Sequence, residues 1–218
     1  MEVNGAKKSS SDDRTKSVVN PEISIKNLPE AEPAALGLIG LAVAALVLAS
    51  ADLQLVSHIP SKSLMIPWIL FFGATAQLIA GAMEFKRNNI FGATVFSVYA
   101  MTMYAIALTL FLNNSSVILP GYIAHYAYGL IGILFFSLIA TVASLMTNNV
   151  FVGILLALDL AVILLIPHYL YEISSEPAGV FLLLTSLLSF YGAAAIMLNT
   201  MAGRIILPLG KPLWVPKK

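Results

Sequence analysis

The sequence predicts an all-α integral membrane protein with six transmembrane helices. Of its 218 residues, 59% are hydrophobic and only 11% are charged, whereas a soluble domain carries about 25% charged residues. Apolar runs of about 20 residues recur, which is the length that a helix needs to cross a bilayer. The charged residues gather near the two ends of the chain and in one cluster between the second and third runs. This distribution indicates membrane spans joined by short loops.

The charge distribution divides the chain into three segments. Residues 1–31 are mostly polar, and such a segment buries too little apolar surface to offset the entropy cost of folding. We therefore expect a largely disordered cytoplasmic tail there. Residues 32–203 are the predicted six-helix transmembrane domain, and residues 204–218 are a short basic cytoplasmic tail. The N-terminus lacks the apolar core of a secretory signal, so the first span is expected to direct insertion.

Each apolar segment is predicted to be a helix because a backbone in lipid must satisfy its own hydrogen bonds. Strand-like alternation is absent from the sequence. Prolines stand at or near several helix starts, where their missing N–H costs little. The predicted spans are 33–51, 64–83, 90–112, 121–146, 150–171 and 178–202.

The basic residues predict the orientation of these spans. An even number of spans puts both termini on one side, and that side then holds eleven of the twelve Lys and Arg residues. Only Lys62 falls on the other side. By the positive-inside rule, both termini are expected in the cytoplasm of a cell whose plasma membrane holds the protein.

Several function classes have no support in the sequence. The net charge of +1 gives no reason to expect a nucleic-acid partner. The absence of cysteine excludes disulfides, thiolate metal sites and thiol catalysis. No nucleotide fingerprint or metal-ligand spacing occurs, and nothing groups a nucleophile with a base. We therefore predict no enzyme activity, no cofactor and no metal.

Small and polar residues inside the spans are the candidate functional residues. Gly73, Gln77 and Gly81 follow one another at intervals of four in the second span, where glycines let a neighbouring backbone approach closely. Gln77 would then lie inside the bundle, either bonding a substrate or holding two helices together. Asn199 belongs to a similar polar face of the sixth span.

Asp159 is the one carboxylate deep within a predicted span. An ionisable group in this position is by default a functional candidate. It could carry a proton, pair with a partner that the sequence does not reveal, or face water near the cytoplasmic half.

Several motifs follow one another along the chain. Residues Glu32–Leu38 read EPAALGL, and the second span contains Gly73-x-x-x-Gln77-x-x-x-Gly81-x-x-Glu84. The third span starts with Asn89-x-Phe91-Gly92-x-Thr94-x-Phe96, followed by Tyr99. In this order the motifs resemble the signature NPAPLGL and the second- and third-helix motifs of the acetate uptake transporter family. The resemblance extends from about Glu32 to Gly210.

The resemblance implies a six-helix protomer with a pathway through each subunit and a homo-oligomer, namely a hexameric ring. Its substrates would be acetate-like small carboxylates, including succinate in some members. An apolar constriction is implied at Leu41, Tyr99 and Leu158, and a pathway mouth at Glu32 and Pro33. The polar pathway residues are then Gln77, Thr94, Tyr99, Glu84 and Asn199, of which the first three could donate hydrogen bonds that replace part of a carboxylate's hydration. Asp159 stands where the family leads us to expect a small or hydroxyl residue, and it is the candidate proton site on its own chemistry.

This sequence departs from the family pattern at several of these positions. Glu32 replaces an asparagine and would repel a carboxylate, and Leu41 stands where phenylalanine is usual. Transport of acetate-like monocarboxylates, with or without protons, is the leading hypothesis. A channel for neutral solutes such as urea or ammonia is the alternative that Glu32 and Leu41 favour. A membrane scaffold or sensor that transports nothing is the third hypothesis.

Overall fold

The computed structural model describes residues 31–56, 62–115 and 124–216. The predicted disordered tail therefore lies outside the described residues, apart from Ala31. Within the described part, six helices are long and apolar enough to cross a membrane. They are α1 Ala34–Asp52, α2 Ser63–Lys86, α3 Ile90–Asn114, α4 Ala124–Ser144, α5 Asn149–Tyr171 and α6 Glu176–Ala202.

The six predicted spans are confirmed, and their ends differ from the prediction by a few residues. Asn89 caps the start of α3, with its side chain accepting a hydrogen bond from the Gly92 N–H at 3.2 Å. Asn148 caps α5 in the same way through the Phe151 N–H at 3.1 Å. Asparagine is among the preferred residues at this position because its side chain satisfies one of the unpaired N–H groups. The predicted first residues of the fourth span, 121–123, lie outside the described residues.

Two stretches of α2 are not α-helical, and the first is the 3₁₀-helix Lys62–Met65 at its start. Residues Ile69–Ala76 form a π-helix, whose hydrogen bonds run from residue i to i+5 and whose turns are wider. Ordinary α-helix resumes at Gln77. π-helical stretches are rare and are found frequently at functional sites.

The helices pack in the order α3, α2, α1, α6, α5, α4. Helices α1, α3 and α5 meet at the centre, where Leu38, Phe96 and Ile154 belong to one buried cluster. This convergence needs Gly37, because a Cβ atom there would lie 2.5 Å from the ring of Phe96. Many large apolar side chains point outward instead, among them Leu108, Phe135 and Ile139, which are 57%, 68% and 70% exposed. Lipid is the solvent that suits such a surface.

The segment after α6 lies against the end of α4, the start of α5 and the middle of α6. The N–H groups of Leu213 and Trp214 both donate to the Leu145 carbonyl at 2.9 Å. The Tyr191 hydroxyl donates to the Pro208 carbonyl at 2.8 Å, and Val150 N–H donates to Leu209 O at 3.2 Å. The described part of the predicted basic tail is thus held against the bundle by hydrogen bonds.

Candidate pathway through the helix bundle

Three cavities follow one another along the bundle. The near cavity, at the end where α1 begins, has a volume of about 390 Å³. The central cavity is about 10 Å³, room for about one water molecule. The far cavity, at the end where α1 finishes, is about 100 Å³. Phe96 and Phe151 line both the near and the central cavity, and Tyr99 lines both the central and the far cavity.

The near cavity is lined by two carboxylates, Glu32 and Glu84. Glu32 forms an ion pair with Arg87 at 2.7 Å. Glu84 is fully buried, and its Oε2 accepts a hydrogen bond from Asn89 Nδ2 at 2.9 Å. Its Oε1 has no hydrogen-bond partner among the described residues. A buried carboxylate oxygen without a partner is costly, and here it belongs to a side chain that lines a cavity.

Two other predicted pathway residues have different surroundings. Asn199 lines the near cavity, but its Oδ1 accepts from Ile206 and Leu207 N–H at 2.6 and 3.0 Å, and its Nδ2 donates to Leu207 O at 2.8 Å. Its amide therefore holds the segment after α6 in place. Thr94 is half-buried and lines none of the three cavities. Pro33 is the residue before α1.

The three residues of the implied constriction are all buried where the central and far cavities adjoin. Leu41 lines the central cavity, Leu158 lines the far cavity, and Tyr99 lines both. Their exposures are 3%, 5% and 2% respectively. We call these three residues the neck.

Gln77 lines the central cavity among apolar side chains. It is fully buried, and its Nε2 donates to the Gly73 carbonyl at 2.7 Å. Its Oε1 has no hydrogen-bond partner in the described part of the chain. Helix α1 is close to α2 here, because a Cβ atom on Gly40 would lie 3.3 Å from Gln77 Cγ and would collide with the Phe72 carbonyl oxygen.

Asp159 lies behind the neck in a buried hydrogen-bond network. Ser137 donates to its Oδ1, and Thr141 donates to its Oδ2 at 2.6 Å. The Tyr99 hydroxyl lies 2.7 Å from Ser137 Oγ. Because the single Ser137 hydrogen is given to Asp159, the Tyr99 hydroxyl is the donor in this bond. The network links α3, α4 and α5, and Asp159 does not face water.

The sequence reasoning missed Ser137 and Thr141. Their spacing of four residues, continued by Ser144, puts three hydroxyls on one face of α4 in an otherwise apolar span. A polar stripe of this kind, in a chain with one deeply buried carboxylate, was the available signal.

Asp52 is the one charged residue that lines the far cavity within the described chain. Two tyrosines, Tyr126 and Tyr169, line the same cavity and pack edge to face, with ring centroids 4.7 Å apart. In residues 31–56, 62–115 and 124–216, no group of three His, Asp or Glu side chains is placed to hold a metal ion.

A family model, described as the GPR1/FUN34/yaaH family, matches residues 17–211. The chain belongs to the GPR1/FUN34/yaaH family. The resemblance drawn from the sequence motifs is thereby confirmed, and the six apolar helices make the chain a multi-pass membrane protein.

Relatives of the chain carry several descriptions. The succinate-acetate/proton symporter SatP of Escherichia coli strain K12 is 34% identical over 85 residues, which are 38% of this chain and 44% of that relative. The glyoxylate pathway regulator of Yarrowia lipolytica is 28% identical over 193 residues, 83% of this chain and 69% of that protein. This chain thus aligns with less than half the length of the bacterial relative.

A solved structure shares the fold. The structure of the bacterial acetate channel SatP matches with a TM-score of 0.76 and 23% identity, covering 84% of this chain and 100% of that one. The six-helix fold of this GPR1/FUN34/yaaH member is therefore shared with a solved membrane protein.

Proposed function

We propose that this chain transports small carboxylates, chiefly the monocarboxylate acetate and also the dicarboxylate succinate, through a pathway within each protomer. The observation that carries the proposal is the line of three cavities, in which Phe96 and Phe151 line both the near and the central cavity and Tyr99 lines both the central and the far cavity. The relatives named as a symporter and a channel for acetate support the same class of function. They also support the prediction that the chain is not an enzyme.

The neck is the proposed gate of this pathway. The central cavity, lined by Leu41 and Tyr99, is too small for acetate, and Leu158 lines the far cavity next to it, so transport along this line requires the neck to widen. A constriction lined by apolar side chains blocks small polar solutes by excluding water.

The neck proposal is tested with a matched pair on α5. Leu158 is 5% exposed and Leu160 is 43% exposed on the outward face. Leu158→Trp is expected to abolish labelled-acetate uptake above the protein-free background in proteoliposomes. Leu160→Trp, with the same added volume on the outer surface, should retain it. Equal uptake by the two variants would refute a pathway through the neck.

Asp159 is the proposed proton-responsive group. As a carboxylate it accepts hydrogen bonds from Ser137 and Thr141, and through Ser137 it holds the Tyr99 hydroxyl. Gain of a proton removes an acceptor and loosens this hold on the neck. The other carboxylate nearest the neck along the pathway is Asp52 in the far cavity.

A channel for neutral solutes such as urea or ammonia is the second candidate. It is favoured by the carboxylates Glu32, Glu84 and Asp52, which line the near and far cavities and would repel an anion. Uptake of labelled urea in the same vesicles separates it from the first candidate. A scaffold that transports nothing would show no uptake of either solute.

We also propose a hexamer in the plasma membrane, with residues 1–31 and 204–218 in the cytoplasm. Because the chain contains no cysteine, single cysteines report the side directly. In intact cells, a membrane-impermeant thiol reagent should label Glu172→Cys and not Lys211→Cys. Light scattering on the purified protein tests the six-fold mass.

A further inference from the structure

We propose that the pathway passes carboxylic acids in their uncharged form, and that Oε1 of Gln77 selects this form by accepting the hydrogen of the acid's hydroxyl group. This inference rests on the proposed transport of monocarboxylates and names the chemical species that crosses the neck.

The fixed orientation of the Gln77 amide is the first observation. Its Nε2 is bound to the Gly73 carbonyl at 2.7 Å, so rotating the amide by half a turn would break that bond and set two oxygens against each other. Its Oε1 is therefore the atom left over, fully buried and without a partner among the described residues. A buried acceptor attracts a solute that carries an O–H or N–H and repels one whose oxygens are both acceptors.

The Tyr99 hydroxyl gives the neck no spare donor. It is the other polar group that lines the central cavity, beside Gln77. Its hydrogen is given to Ser137, whose own hydrogen is given to Asp159. A carboxylate ion needs several donors to replace its hydration. Here it would find at most the second hydrogen of Gln77 Nε2, which an uncharged acid can equally use through its carbonyl oxygen.

The charges along the pathway favour the same species. The described residues that line the three cavities include Glu32, Glu84 and Asp52, and no lysine, arginine or histidine. Arg87 is paired with Glu32 at 2.7 Å, so these two opposite charges offset each other. Pathways that conduct anions carry rings of arginine or lysine. An ionised acid would therefore meet no cationic side chain among the described residues that line the three cavities, and it would meet the carboxylate of Glu84 in the near cavity.

Three solutes of similar size show whether the ion or the uncharged acid crosses the neck. Acetate exists as both ion and acid, acetamide is an uncharged analogue that never ionises near neutral pH, and trifluoroacetate stays ionised throughout. Uptake of each labelled solute is measured in proteoliposomes and compared with protein-free vesicles at pH 7 and pH 6. We expect a protein-dependent excess for acetate and acetamide and none for trifluoroacetate.

The outcomes distinguish this inference from the proposed function. Trifluoroacetate entering as fast as acetate would overturn the inference and leave monocarboxylate transport standing. No protein-dependent excess for acetate or acetamide would overturn both. Protein-dependent uptake of acetamide and acetate, with no such uptake of trifluoroacetate, would support both the inference and the proposed function.

The role of Gln77 itself is tested by Gln77→Met, which keeps the length of the side chain and removes the acceptor. Loss of one hydrogen bond to the solute should lower acetamide and acetate uptake about five- to tenfold. Thr75→Val is the matched control, since Thr75 is on the same helix, bonds the Leu70 carbonyl at 2.9 Å and lines none of the three cavities.

If Gln77 only stabilises the fold, Gln77→Met should lower the uptake of every transported solute by the same factor as the yield of folded protein. That yield is measured on the same preparation. Unchanged acetamide uptake in folded Gln77→Met would overturn the selecting role. If the methionine variant does not fold, Gln77→Leu repeats the test, and the three-solute comparison on the unmodified protein still decides which species crosses.

Discussion

Two buried carboxylates, Asp159 and Glu84, differ in how fully they are bonded. Both oxygens of Asp159 accept hydrogen bonds, from Ser137 and Thr141. Glu84 has one oxygen bonded to Asn89 and one that has no partner within the part of the chain that the structure describes. Asp159 lies behind the neck, whereas Glu84 lines the near cavity. Burial alone therefore does not mark a carboxylate that meets solutes, because the fully bonded group is occupied with its own neighbours.

The largest expected effect is on stability, from Asp159→Ala. This change leaves Ser137 and Thr141 as buried donors without an acceptor and should lower the free energy of unfolding by about 3 kcal/mol. Asp159→Asn keeps one acceptor oxygen and should cost about 1 kcal/mol. Equilibrium unfolding in mixed micelles measures both. Equal costs for the two variants would show that the hydrogen bonds contribute little.

Glu84→Ala should lower the free energy of unfolding by about 1 kcal/mol, which is less than Asp159→Ala, because only the hydrogen bond from Asn89 is lost. The same change removes a negative charge from the near cavity, so trifluoroacetate should be repelled less. Unfolding and solute uptake are measured on one preparation. A loss of stability as large as that of Asp159→Ala would break the contrast between the two carboxylates.

Ser137→Ala separates Tyr99 from Asp159 while leaving Thr141 on the carboxylate. We expect a loss of about 1 kcal/mol and a Tyr99 hydroxyl free to donate into the neck. A free donor should let trifluoroacetate enter in measurable amounts. Ser186→Ala, which removes a buried hydroxyl bonded to Ala42 O between α1 and α6, is the control and should not admit trifluoroacetate.

Uptake of acetamide tests whether Asp159 is the proton-responsive group. Because this solute does not ionise, any change in its protein-dependent uptake with pH arises from groups on the protein. Asp159→Asn should remove that dependence, and Asp52→Asn, in the far cavity, should retain most of it. The reverse pattern would move the role to Asp52.

The smallest effect is expected from the partly exposed pair Arg87–Glu32, whose side chains are 29% and 34% exposed. Arg87→Ala should change the free energy of unfolding by about 0.5 kcal/mol, as is usual for exposed ion pairs. A loss comparable to that of Glu84→Ala would mean that the pair organises the near cavity.

The helices could be predicted because their causes are local. Six apolar runs must be helical in lipid, and the α3 start at Ile90 follows from the capping residue Asn89. The Ser137–Asp159 contact joins two residues 22 positions apart in the chain, and no local pattern specifies which faces of α4 and α5 meet. The Asn199 bonds to the segment after α6 are local in sequence but depend on a turn that the sequence did not reveal.

The resemblance to the family singled out Gln77 as a pathway residue, but it did not predict the orientation of its amide. Gln77 was expected to donate a hydrogen bond to a carboxylate. In the structure its Nε2 is bound to Gly73, and the oxygen is left over. The orientation of an amide depends on one neighbouring carbonyl, and that carbonyl lies in a π-helical turn that composition does not signal.

The π-helix Ile69–Ala76 also has a consequence for how this chain can diverge. A wide turn already departs from regular α-helical spacing, so losing or gaining one residue there disturbs the hydrogen-bond ladder less than it would elsewhere. One residue corresponds to about 100° of helix rotation. A single-codon deletion in this stretch would turn Gln77 and everything after it in α2 relative to the residues before it. Such an event would exchange the side chain presented to the central cavity without altering any other span.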